Sequence, residues 1–137
     1  MTDATAFDQV LAAIAFNGDG LVPAIAQAEG SGEILMMAWM NRDAVLETLR
    51  TGRVCYWSRS RGGLWRKGES SGQTQTLKDF RIDCDGDTLL LIVEQEGVAC
   101  HTGRRSCFYR AVRNGALEII QPVETDPAIL YGKTHGH

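Results

Sequence analysis

The chain has 137 residues, 44% hydrophobic and 23% charged, with a formal net charge of −3 at pH 7. A chain of that length buries roughly two-thirds of its unfolded surface in one core, and its acidic balance gives no global field for nucleic acid or anionic membrane. The stretch up to Ala15 carries acids and no basic residue, unlike a signal peptide. No apolar run reaches bilayer length, so a single cytoplasmic domain over residues 1–137 is expected.

Phe7, Val10, Leu11 and Ile14 recur at helical spacing, and Asn17-Gly18 can stop that helix. Leu21–Ala28 and Glu33–Met40, separated by Gly30-Ser31-Gly32, read as a hairpin. Met36, Met37 and Met40, beside Trp39, read as core packing. Asn41 resembles an N-cap for a helix over Arg42–Thr51 with Val45, Leu46 and Leu49 inward and Gly52 as terminator. Val54–Ser58 reads as extended, followed by a glycine-broken basic loop and then extended Leu77–Cys84. Thr88–Gln95 is a β-rich apolar run. Cys107–Val112 pairs with Ala116–Ile120 across Asn114-Gly115, a strong hairpin signal. Asp126–Tyr131 adds a helical turn, and His135 and His137 in the tail are assigned no catalytic part. The sum is an α+β domain with a mainly antiparallel sheet and a few short helices.

The four cysteines, Cys55, Cys84, Cys100 and Cys107, read in a reducing compartment as thiols or metal ligands and not as disulfides. Cys55, inside Val54-Cys55-Tyr56-Trp57, reads as buried packing. Asp83, Asp85 and Asp87 alternate, with Cys84 between the first two. In an extended segment this sends aspartates to one side and the thiol to the other. Oxygens suit Mg²⁺ and thiolate suits Zn²⁺. The simpler alternative is a polar hairpin turn, but three crowded carboxylates repel one another and a cation offsets that. An EF-hand loop is excluded, because Thr88 stands where its turn needs glycine.

Cys100 and Cys107 are too far apart for a C-x-x-C knuckle, a weak zinc signal by itself. They bracket a polar loop, Cys100-His101-Thr102-Gly103-Arg104-Arg105-Ser106-Cys107, where thiols have little packing use. With Cys84 they make three thiolate ligands and leave a fourth position open, as a catalytic zinc does. His101 can be a fourth ligand, a general base or a polar loop residue; neighbours in an extended loop point apart, which favours the base role. The segment from Ser58 to Gly72 concentrates Arg59, Arg61, Arg66, Lys67, Ser70, Ser71 and glycines. It suits phosphate binding, with Tyr56, Trp57 and Trp65 able to stack on a base. It equally fits a solvated loop or a patch for single-stranded nucleic acid, the latter disfavoured by the net acidity.

Trp39-Met40-Asn41, Tyr56-Trp57-Ser58-Arg59-Ser60-Arg61, Leu64-Trp65, Lys67-Gly68-Glu69-Ser70-Ser71-Gly72, Asp83-Cys84-Asp85-Gly86-Asp87 and Cys100-His101-Thr102-Gly103 with Cys107-Phe108 closely resemble the phosphoribosyl-AMP cyclohydrolase family of histidine biosynthesis. The resemblance runs from about Phe16 to Val112, and no fused phosphoribosyl-ATP pyrophosphatase domain follows in these 137 residues. It implies hydrolytic opening of the N1–C6 bond in the adenine ring of 1-(5-phosphoribosyl)-AMP, giving the ProFAR intermediate. It further implies an intertwined homodimer, with one Zn²⁺ per subunit on Cys84, Cys100 and Cys107 shared between chains, and Mg²⁺ on Asp83, Asp85 and Asp87. No nucleic-acid or membrane partner is expected. Arg59, Arg61, Trp65, Lys67, Ser70 and Ser71 are the expected substrate-binding residues, and His101 the catalytic base. Two rival classes remain. A zinc nucleobase deaminase lacks its H-x-E and P-C-x-x-C signature here, and a zinc module for single-stranded nucleic acid would show salt-dependent binding and no turnover.

Overall fold

A computed structural model describes residues 2–131; His135 and His137 lie outside them. Helix α1 (Thr2–Ala13) is followed by strands β1 (Val22–Ala28) and β2 (Ile34–Met40), helix α2 (Arg42–Thr51), and strands β3 (Cys55–Ser58), β4 (Gly63–Arg66), β5 (Gln75–Ile82) and β6 (Leu89–Gln95). A ribbon of β7 (Arg110–Arg113) and β8 (Ala116–Ile119) and a short helix α3 (Pro127–Tyr131) complete the chain. No helix among the described residues is long and apolar enough to cross a membrane.

Local chemistry explains most boundaries. Asn41 Oδ1 accepts from the Ala44 N–H at 2.9 Å and starts α2, while Gly52 in the left-handed region (φ 76°) returns its N–H to Thr48 O at 2.9 Å and ends it. The first helix stops at Ala13, short of Asn17-Gly18. Asn17 instead closes a turn, its Oδ1 accepting from the Asp19 and Leu21 amides. The predicted basic loop holds a strand of its own, β4, paired to β3. The last hairpin forms across Asn114-Gly115, both at positive φ, although its first strand begins at Arg110 and leaves Cys107 in the preceding loop.

The six strands order β4-β3-β2-β1-β6-β5. The domain is α+β as expected, but the sheet is mixed and not mainly antiparallel, because β1 and β6 run parallel at its centre. Hairpin signals are local and reveal only antiparallel neighbours. A parallel pair needs a long crossover, here the whole of β2 to β5.

Alternation along β1 and β6 sends Val22, Ala24, Ala26, Leu89, Leu91 and Val93 into the core with Leu11 from α1 and Ala44 and Val45 from α2. Cys55 is buried as expected, its amide donating to Thr48 Oγ1 at 2.9 Å. Among the described residues, the helical contributions to that core come from α1 and α2. Met36 and Met40 are buried, but Met37 is 44% exposed on the sheet's other face, correcting its assignment to the core.

Candidate active site

The segment from Asp83 to Asp87 is a tight turn between β5 and β6, not the extended strand that alternation assumed. Asp83 N–H donates to Thr88 O (3.0 Å), Gly86 N–H to Asp83 O (3.0 Å) and Asp87 N–H to Asp83 Oδ1 (3.0 Å). The turn draws carboxylates together: the hydrogen bond to Asp83 and then its charge, with a smaller push from Asp85, hold the Asp87 carboxyl above its ordinary value. Such a concentration of like charge fits a hard cation. The turn is docked on the end of α1. Ala15 N–H donates to Gly86 O at 2.7 Å, and a Cβ at Gly86 would run into the Ala13 carbonyl. Cys84 is exposed on this turn.

Cys100 and Cys107 lie beyond the opposite end of β6. Their loop closes on itself through Ala99 N–H to Arg105 O (3.0 Å) and Cys100 N–H to Arg104 O (3.1 Å), and Cys107 N–H reaches Leu35 O at 2.7 Å. Cys100 is 4% exposed, its Sγ 3.0 Å from Thr102 Oγ1. The two thiols adjoin one another. Packing around the Cys107 sulfur, reinforced by the charge and hydrogen bond of Cys100, pushes its pKa up to about 12, although the residue as a whole is exposed. Residues 121–125 brace the loop: Glu124 and Thr125 amides donate to Gly103 O, and Gln121 Oε1 accepts from Ser106 N–H.

Two adjacent thiols without a carboxylate suit a soft ion such as zinc. The third thiol cannot join them within one chain. The seven residues of β6 at ~3.3 Å each separate the two ends by roughly 20 Å. Among the described residues, no group of three ligating side chains converges. Within one chain the three cysteines are thus divided, Cys84 at one end of β6 and Cys100 and Cys107 beyond the other.

Within the segment from Ser58 to Gly72 lies a cleft of about 230 Å³, lined by Arg61, Trp65, Lys67, Gly68, Glu69, Ser70 and Ser71. Gly68 must be a glycine, since it is at φ 82° and a Cβ there would meet the Gln73 carbonyl carbon at 2.5 Å. Arg59 sits apart, over the Trp39 ring at 4.7 Å, in a neighbouring open cleft with Trp57; Trp65 lines both. Lys67 is not the free loop cation expected. It is 8% exposed and its Nζ donates to Ala99 O at 3.0 Å. Burial lowers its pKa, while the adjacent Cys107 and Cys100 oppose that shift. It joins the cleft to the thiol pair. His101 is exposed beside Cys100.

Under this floor runs a buried polar chain that the sequence reading did not find. Tyr56 OH donates to Gln75 Oε1 (2.7 Å), and Gln75 Nε2 donates to Gln95 Oε1 (2.8 Å). Burial, and then Cys107, hold the Tyr56 hydroxyl far above its ordinary pKa, so it remains a donor. A signal existed. Gln95 continues the inward phase of Leu89, Leu91 and Val93, and a polar residue in a core phase needs a partner.

A concave cationic cleft edged by tryptophan and abutting paired soft ligands is the equipment of a small-molecule enzyme. A family model described as phosphoribosyl-AMP cyclohydrolase matches residues 36–109. A phosphoribosyl-AMP cyclohydrolase of Paramagnetospirillum magneticum is 68% identical over 90% of this chain and 94% of its own. One from Rhodospirillum centenum is 63% identical over 92% and 95%, and one from Alkalilimnicola ehrlichii 67% over 89% and 86%. The chain belongs to the phosphoribosyl-AMP cyclohydrolase family and is a hydrolase of that kind.

Proposed function

We propose that the chain opens the adenine ring of phosphoribosyl-AMP by hydrolysis of its N1–C6 bond, yielding the ProFAR intermediate of histidine biosynthesis. The observation that carries this reading is the Cys100–Cys107 thiol pair joined through buried Lys67 to the Ser70-Ser71 cleft. Cys100 and Cys107 of one subunit with Cys84 of the partner subunit hold one Zn²⁺, and Asp83, Asp85 and Asp87 hold Mg²⁺. When bound, zinc supplies Lewis acidity that makes water deprotonation accessible near neutral pH. The homodimer is then a condition of catalysis.

The protein's own groups do the remainder. The substrate carries ribose phosphates on N1 and N9, and Arg61, Ser70 and Ser71, with Lys67 at the cleft floor, bind one phosphate. The Trp65 ring edges the purine, with Arg59 serving from the neighbouring cleft. Substitution at N1 makes the ring cationic and C6 electrophilic. His101 accepts a proton from the water that attacks C6, and a proton is delivered to N1 as the bond breaks. Water adds and no ammonia leaves.

The test is ultraviolet absorbance during incubation with phosphoribosyl-AMP. Loss of the intact purine spectrum, abolished by a chelator and by Cys84→Ala, supports the reading. Release of ammonia would replace it with deamination, and unchanged absorbance together with salt-dependent oligonucleotide binding would replace it with a nucleic-acid module. A His101→Ala variant with full activity at every pH would remove the base assignment alone.

A further inference from the structure

The Ser70-Ser71 cleft and the cysteine loop are distant in sequence, and the proposed reaction needs them at one fixed spacing. Phosphate held in the cleft fixes the purine, and the attack on C6 takes place at the thiol end. Gln73 spans the interval. Its Nε2 donates to Ser71 O at 3.3 Å, and its Oε1 accepts from the Val98 N–H at 2.8 Å, two residues before Cys100. Its own N–H donates to Ser71 Oγ at 3.2 Å. That bond occupies a lone pair of the hydroxyl and leaves its proton for an anion in the cleft.

The surroundings are shaped to this side chain. Gly97 lies at φ 67°, and a Cβ there would take the place of the Gln73 amide oxygen. The buried chain from Tyr56 through Gln75 ends beneath it. Gln95 Nε2 donates to Glu96 O at 2.9 Å and to Gln73 O at 3.2 Å. The Glu96 N–H reaches Thr74 O at 2.9 Å, whereas the Ala99 and Cys100 amides turn the other way, to Arg105 O and Arg104 O. The segment 96–100 is thus held from the cleft side up to Val98 and from the cysteine loop beyond it. Val98, 2% exposed, is the junction.

We propose that Gln73 is a positioning residue for the hydrolysis, setting the spacing between the phosphate cleft and the Cys100–Cys107 loop through Ser71 and Val98 without touching substrate. The proposal rests on the reaction put forward above. Without the strap, Arg61, Ser70 and Ser71 still bind phosphate, so substrate affinity is kept. The ring is then offset from the attacking water, and a misplacement on the order of 1 Å costs up to about 100-fold in rate. Loss of an interaction that acts only on the reacting geometry falls on kcat and not on KM.

The test compares zinc-loaded Gln73→Leu and Gln73→Glu with the wild type. Gln73→Leu is expected to lower kcat per bound zinc by about 10–100-fold at nearly unchanged KM. Gln73→Glu keeps an acceptor for the Val98 N–H and is expected to recover most of that loss. A residue with only a structural role would lower zinc content and melting temperature together and leave kcat per zinc unchanged. That result overturns the proposal, as does a Gln73→Glu variant no better than Gln73→Leu. Should Gln73→Leu not fold, amide hydrogen exchange of the wild type decides. Val98 lies outside β6, so protection near that of the β6 ladder supports the strap, and exchange as fast as a free loop amide overturns it. Purine absorbance left intact by the wild type would overturn the reaction and the positioning role together, and Val98 protection tells that case from a missing strap.

Discussion

Replacing Gly86 by alanine tests whether the end of α1 really positions the acidic turn. Gly86 has φ 77°, and a Cβ there meets the Ala13 carbonyl. The left-handed conformation alone costs a non-glycine residue roughly 1–2 kcal/mol. Relief of the clash must push the turn from the helix end and give up the Ala15–Gly86 hydrogen bond (2.7 Å), worth about 1 kcal/mol more. The sum, about 2–3 kcal/mol, is a large part of a typical 5–15 kcal/mol stability and lowers the melting temperature by roughly 10 °C at this chain length. Gly20→Ala is the control: its φ is 76°, but nothing lies within 4 Å of its Cβ, so only the conformational cost of about 1–2 kcal/mol applies. Calorimetry or urea unfolding of the two variants reads the difference. Equal losses would refute the clash and the docking of the turn on α1.

Tyr56→Phe leaves the buried Gln75 Oε1 without its donor and is expected to cost about 1–3 kcal/mol; an unchanged urea midpoint would remove the buried chain from the stability of the site. Burial, with a smaller push from Glu47, raises the Cys55 pKa from 9.0 to about 11, so the folded chain holds this proton where the unfolded chain loses it. Its contribution is present below pH 9 and is lost as pH climbs to about 11, amounting to at most about 2–3 kcal/mol. Urea midpoints of wild type and Cys55→Ala across that range should therefore converge, and parallel pH curves would contradict the assignment.

Features written in a few adjacent residues were legible in the sequence. The cap at Asn41, the stop at Gly52 and the turn at Asn114-Gly115 each depend on one side chain or one φ angle within a turn. The run of acids at Asp83–Asp87 and the thiols at Cys100 and Cys107 were legible as residue types, and their roles as ligands belong to the proposed function. Features decided by tertiary packing were not. The parallel β1–β6 pair depends on a crossover of about 60 residues, from Ala28 to Leu89, which no local pattern records. The alternation drawn through Asp83–Asp87 failed because a hairpin reverses there and brings Asp87 back to Asp83. Lys67 looked like one more loop cation, and only the fold reveals that its amine ends at the Ala99 carbonyl. Met37 was assigned inward on hydrophobicity, but the strand period turns it to the other face.

The acidic turn and the cysteine loop are each steadied by segments near opposite ends of the chain, the turn by Ala13 and Ala15 and the loop by residues 121–125. Both braces fall outside the block matched by the family model, residues 36–109. Substitutions in the N-terminal brace can therefore reshape the acidic turn while the cysteine loop keeps its geometry, and the C-terminal brace can do the converse. Two enzymes with the same motif block can then differ in how rigidly each of these ends is held, and an affinity tag at either terminus is not a neutral addition.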